Sequence, residues 1–119
     1  MITEKRRRGD MGEDFAAKYL EDKGYEIIER NFNTRLGEID IVAKDGRYIA
    51  FIEVKSRKSI DDAAYAISDV SKKRIAKAAE FFLALHSEYN HYDVRFDAFL
   101  AGGKSYPVHI KDAWRNDWW

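Results

Sequence analysis

The sequence predicts an α/β fold, a mixed central β-sheet flanked by helices in the order α-β-β-β-α-β-β. Three features carry that expectation. An apolar stripe at helical spacing runs over residues 10–23, two β-branched runs flank an Asp-Gly pair over 38–55, and a second helical stripe over 68–86 precedes further strands. Because this second long helix lies between strands, it can cross the sheet and return the chain parallel, which makes the sheet mixed.

The elements follow in order. Residues 1–9, with Lys5-Arg6-Arg7-Arg8, read as a flexible basic arm, and 10–119 as one domain. Asp10 is the expected N-cap of a first helix whose apolar positions are Phe15, Ala16, Tyr19 and Leu20, with Gly24 at C′. Residues 25–32, with Tyr25, Ile27 and Ile28, read as a strand, and 33–37 as a polar turn. Strands over 38–43 and 48–55 enclose Lys44-Asp45-Gly46-Arg47, a strong hairpin signal. Residues 56–67 are a loop or a short helix. Ser68 or Ser71 caps a second long helix with the stripe Ile75, Ala78, Ala79, Phe82 and Leu85. Residues 92–101 alternate Val94, Phe96, Ala98 and Leu100 against Arg95 and Asp97, as a strand does. Gly102-Gly103 turns the chain into a short edge strand over 108–110.

Composition narrows the function classes. With 119 residues there is room for one core, and 45% apolar residues can fill it. Charged residues reach 35% but balance at 21 basic against 21 acidic, so no global field draws in a polyanion. Nucleic-acid binding would have to rest on local patches, such as Lys72-Lys73-Arg74 with Lys77, or on a metal. There is no cysteine, which excludes disulfides, thiolate zinc sites and cysteine nucleophiles. His86, His91 and His109 are too scattered for a local metal motif. No apolar segment suggests a membrane span, so a soluble, cytoplasmic protein without a membrane partner is expected.

The hairpin carries the chemistry. With Asp45-Gly46 as the central turn residues, Asp40 faces Phe51 and Glu38 faces Glu53. Alternation then gathers Glu38, Asp40, Val42, Ile49, Phe51, Glu53 and Lys55 on one face. The other face, Ile39, Ile41, Ala43, Tyr48, Ala50, Ile52 and Val54, carries no charge and is expected to be buried. Carboxylates crowded across a strand pair repel unless a cation joins them. Lys55 neutralises part of that charge, and a divalent ion would satisfy the rest. Oxygen-only ligands select a hard ion, Mg²⁺ or Mn²⁺, held by Asp40 and Glu53 with water completing the shell. The competing reading is an exposed, salt-bridged strand end.

These residues resemble a known family. Gly37-Glu38-Ile39-Asp40 with Phe51-Ile52-Glu53-Val54-Lys55-Ser56-Arg57 looks like the uncharacterised YraN-like family of the restriction-endonuclease-like superfamily, which includes archaeal Holliday-junction resolvases. Gly12-Glu13, Tyr19-Leu20, Gly24-Tyr25, Ser71-Lys72, Arg95-Phe96-Asp97, His109-Ile110 and Ala113-Trp114 extend the resemblance along nearly the whole chain. It implies a restriction-endonuclease-like fold and metal-dependent endonuclease chemistry, with Asp40 and Glu53 as metal ligands and Lys55 as the catalytic lysine. Glu13 would be the helix carboxylate that joins the metal shell directly or through water; otherwise it is a solvated helix acid. Two stretches depart from the pattern. Asn31-Phe32-Asn33-Thr34 stands where a tryptophan and an arginine are usual, and residues 60–67 lack a glycine-containing motif.

Arg57 either holds a phosphate or is a surface arginine. Lys72 and Lys73, near a helix start, either contact phosphates or are solvated. Arg95 and Asp97 read as structural. Trp114, Trp118 and Trp119 either cover the core or form a partner surface. The function expected is divalent-metal-dependent hydrolysis of DNA phosphodiesters, in branched or otherwise structured DNA. One small site cuts one strand, so a homodimer is the matching assembly. The alternative is a non-catalytic nucleic-acid-binding or protein-recruiting module on the same fold.

Overall fold

The computed structural model describes residues 4–115, with side chains from residue 12 onward. The chain runs α1 (Glu4–Asp22), β1 (Glu26–Asn33), β2 (Glu38–Asp45), β3 (Tyr48–Arg57), α2 (Ile60–Tyr65), α3 (Asp69–Leu85), β4 (Asp93–Gly102) and β5 (Val108–Trp114), with one 3₁₀ turn at Ser87–Tyr89. The strands form one sheet in the order β1-β2-β3-β4-β5. The β3–β4 pair is parallel and the other pairs antiparallel, so the mixed sheet forms with α2 and α3 as the crossover. Of the two readings for residues 56–67, the helical one holds. The Ser59 side chain accepts the Asp62 N–H and caps α2.

Helix α1 begins earlier than expected. Asp10 lies within it rather than at its N-cap, and Lys5–Arg8 belong to its backbone instead of an arm. The reason is intrinsic: Glu, Lys and Arg are strong helix formers, and an acid in the first turn suits the helix dipole. The side chains of the basic cluster, like Trp118 and Trp119, lie outside the described residues. The helix ends as foreseen. Gly24 has φ 95°, its N–H reaches the Glu21 carbonyl, and Tyr25 N–H returns to the Leu20 carbonyl. That pair of bonds is a Schellman motif.

The sheet is buried on both faces. On one, α1 lays Ala16, Ala17 and Leu20 against Ile41, Ala43, Ala50, Ile52 and Phe99. On the other, α3 lays Ile75, Ala78, Ala79 and Phe82 against Val42, Ile49, Phe51 and Phe96. Leu85, expected in that stripe, is 61% exposed, because α3 ends there and runs past the sheet. Helix α2 closes a smaller cluster of Ala63, Ala98 and Leu100. Ser68 caps α3 by accepting the Ser71 N–H, which decides between the two candidate serines. Strand β5 runs on to Trp114, whose indole stacks on Phe96 at 5.7 Å and covers the core.

The hairpin register differs from the expected one by two residues. Asp45 pairs with Tyr48 and Val42 with Phe51, so the central turn residues are Gly46 and Arg47. Gly46 has φ 58°, and among the described residues the non-glycines with positive φ are Asn31 and Asp112. A glycine at the first central position alone matches a type II′ turn, whose twist suits the strands. A shift by two preserves side-chain parity. Asp40, Glu53 and Lys55 therefore keep their shared side, but Asp40 is drawn from opposite Phe51 towards Glu53.

Candidate active site

Strand β2 changes sides at Asp40. Ile41 packs with α1, whereas Ile39, expected on the same face, packs with α3. Its neighbour β1 does the same: Arg30 reaches Asp14 on α1 at 2.7 Å, while Phe32 packs with α3. Arg30 pairs with Ile41 and Phe32 with Ile39, so the switch falls between them, at Asn31 and Asp40. Asn31 absorbs it with φ 53°, a left-handed conformation that Asn tolerates better than most residues. The ladder between β2 and β3 runs from Asp45 to Ile41 and stops. Beyond it the Asp40 carboxylate accepts the Val54 N–H at 2.8 Å, in place of a backbone carbonyl. The strands part into a notch, and Asp40 is fixed at its apex.

Glu53 comes from the next strand and is 9% exposed. Burial pushes its carboxyl up to about 8, the negative charge of Asp40 and a hydrogen bond with it push the same way, and Lys55 opposes them. Lys55 Nζ lies 3.3 Å from Glu53 Oε1. Asp40, Glu53 and Lys55 thus meet in one place, as alternation along the hairpin predicts.

Glu13 is buried on α1, which sits close to β3: a Cβ on Gly12 would come 3.1 Å from the Ser56 Cβ. Its carboxylate lies 3.7 Å from Arg30. Among the described residues, no group of three or more His, Cys, Asp or Glu side chains is clustered to hold a metal. Asp40 and Glu53 are two carboxylates in direct contact. They fit a hard ion that keeps most of its waters and do not fit a closed zinc cage.

The three basic side chains expected at phosphates differ in their surroundings. Arg57 is half-buried, with Nη1 on its neighbour's carbonyl at 2.8 Å. Lys72 Nζ lies 3.9 Å from Asp69 and over the Trp114 ring at 5.8 Å. Lys73 is exposed.

A second polar cluster was only partly legible. Asp97, fully buried, receives Arg95 Nε at 3.0 Å, His109 Nε2 at 2.9 Å and the Asp112 N–H at 3.0 Å. Arg95 also reaches Tyr25 Oη at 2.6 Å and Asp45 at 3.1 Å. Alternation along β4 puts Arg95 and Asp97 on one side, but nothing local names His109, which arrives from β5. Burial pushes the Tyr25 phenol up to about 12 against the pull of Arg95. The cluster is saturated with internal partners and ties three strands together.

No helix among the described residues is long and apolar enough to cross a membrane. The chain is similar to bacterial proteins across most of its length. A UPF0102 protein of Bradyrhizobium diazoefficiens is 47% identical over 104 residues, spanning 87% of this chain and 78% of that protein. One from Rhodopseudomonas palustris is 46% identical over 107 residues (90% and 82%), and one from Nitrobacter winogradskyi 47% over 98 residues (82% and 83%). Residues 12–100, which include Glu13, Asp40, Glu53 and Lys55, match a family model. The chain belongs to the uncharacterised protein family UPF0102.

Proposed function

We propose that this protein is a restriction-endonuclease-like, divalent-metal-dependent nuclease that hydrolyses DNA phosphodiesters, with branched or structured DNA as the substrate class. The observation that carries this reading is the notch: two carboxylates from neighbouring strands converge beside a lysine where the strands separate. Strand ends rarely bury such a set without a cation to balance it. Mg²⁺ or Mn²⁺ held by Asp40 and Glu53 would supply a Lewis acid for a phosphoryl oxygen and a more acidic water.

The chain's own groups do the rest. The Val54 N–H holds the Asp40 carboxylate in one orientation, and burial restricts Glu53. Lys55, with 22% of its side chain exposed, presents its ammonium at the mouth of the notch. There it stabilises charge developing on the phosphate and orients the attacking water. A second reading, a nucleic-acid-binding module without turnover, is favoured by one observation: the stretches Asn31-Phe32-Asn33-Thr34 and 60–67 depart from the family pattern.

The test is incubation with Mg²⁺ or Mn²⁺ and single-stranded, duplex, flap and four-way DNA. Wild type is expected to cut at least one of these. Lys55→Ala and Asp40→Asn, the latter keeping an acceptor for Val54, are expected to lose roughly 100-fold or more in rate. Cleavage unchanged in both variants, or absent on every substrate, rules the nuclease reading out.

A further inference from the structure

The turn between β1 and β2 leads directly into the Asp40 notch, and its shape is fixed on two sides. The Thr34 hydroxyl accepts the Leu36 and Gly37 N–H groups and donates to the Gly37 carbonyl. Gly37 then lies flat against α3, where a Cβ would overlap the Arg74 carbonyl, so no other residue lets the turn close so tightly. The closure leaves an open groove of about 900 Å³ between turn and helix, lined by Asn33, Thr34, Arg35, Leu36, Lys77 and Phe81. Its walls are unusual for solvent-facing surface. Leu36 is 61% exposed and Phe81 52%, and Phe81 is backed by Phe32 at 6.5 Å between ring centroids. Arg35 forms no ion pair with the described residues, and Lys77 has only a 3.9 Å contact with Glu80. Apolar surface flanked by two available cations, on a chain of zero net charge, is complementary to a ligand with a flat apolar body and negative charge.

We propose that this groove holds an unpaired nucleotide of a nucleic-acid strand, its base against Phe81 and Leu36 and its phosphates against Arg35 and Lys77. The proposal rests on the nucleic-acid reading above and adds what the ligand must offer: a base free of its stack. A base inside a duplex hides its ring face, so Phe81 cannot reach it, whereas an unpaired base exposes that face to any aromatic platform. A second copy of this chain is a poorer occupant, because a two-fold contact would set Arg35 and Lys77 against their own counterparts. Phe32, Arg30 and Asn31 tie the groove to the notch, since the change of sides in β1 that opens the notch also turns Phe32 towards α3.

The experiment is fluorescence anisotropy in EDTA, with fluorescein-labelled single-stranded DNA, RNA of the same sequence, and the fully paired DNA duplex. Phe81→Ala is expected to weaken single-strand binding by roughly 5- to 100-fold, the range of one lost base–aromatic contact, with the duplex affected less than about twofold. Arg35→Gln with Lys77→Gln should weaken single-strand binding and lower its salt slope by about 0.7 per charge removed. Phe15→Ala, on α1 at the opposite sheet face with 50% exposure, should change neither. The DNA and RNA arms identify which strand chemistry is taken. Unaltered single-strand binding by Phe81→Ala, or an equal loss on the duplex, overturns the proposal. So does sedimentation showing a wild-type dimer that Phe81→Ala dissociates. Without metal, this assay is independent of cleavage: a protein that binds through Phe81 but never cuts loses only the nuclease reading, and one that cuts while ignoring Phe81 loses only the groove.

Discussion

Asp97 has no exposed surface, yet its carboxylate is charged, since an ionised carboxylate accepts only and each neighbour is a donor. Burial acts to raise its pKa, but the hydrogen bonds from His109, Arg95 and the Asp112 N–H, with the charge of Arg95, outweigh that and lower it below the usual carboxylate range. A depressed folded pKa stabilises the fold above the unfolded pKa of about 3.9, and this contribution fades as pH falls through the lower folded value. Asp97→Asn keeps the shape but strands the buried Arg95 guanidinium. It should destabilise the protein by about 3–5 kcal/mol in urea melts at neutral pH. The gap between variant and wild type should narrow below about pH 3.9, and a gap that stays constant down to pH 2 would contradict the ionised assignment. Strand alternation places Arg95 and Asp97 on one side of a strand in a structural role, which the geometry supports. It has no route to His109, because pairing between β4 and β5 is set by a bulge at Asp112 (φ 52°) that no local pattern encodes.

At the scale of elements, periodicity located each long helix and strand, and the errors cluster at ends and turns. Those are the places where competing local choices differ by little energy. Two turns of the same Asp-Gly hairpin lie one step apart, and the II′ geometry at Gly46-Arg47 displaced the expected pairing. The start of α3 posed a similar choice between Ser68 and Ser71. Ser68 accepts the Ser71 N–H at 3.1 Å, while Ser71 Oγ has only the Ser68 hydroxyl at 3.0 Å. Ser68→Ala should therefore cost about 1 kcal/mol of stability, and Ser71→Ala a few tenths, because only the first leaves a helix N–H without its cap. Urea midpoints with unchanged m-values would measure the difference. Equal losses would mean that the two hydroxyls share the capping role.

For the molecule as a whole, charge balance and site geometry pull in one direction. With 21 basic and 21 acidic residues there is no long-range attraction for a polyanion, so on the proposed nucleic-acid reading affinity would be concentrated in the notch and groove. The acids and lysine of the notch were legible because strand alternation survives a two-residue slip. The notch itself was not, since it arises where β1 and β2 switch sides together, a feature of paired strands that neither strand reveals alone. If that notch is an ion site, binding to the folded state must stabilise the entire fold. A hundredfold excess of Mn²⁺ over its Kd contributes about 2.7 kcal/mol, equivalent to a Tm rise of roughly 8–16 °C for a domain of this size. Asp40→Asn should abolish the rise. Glu13→Gln should retain it, because the Glu13 carboxylate already has Arg30 at 3.7 Å as its counter-charge. Differential scanning fluorimetry with and without Mn²⁺ reads both. A rise that survives Asp40→Asn moves the ion elsewhere, and one lost in Glu13→Gln makes the helix acid a ligand after all.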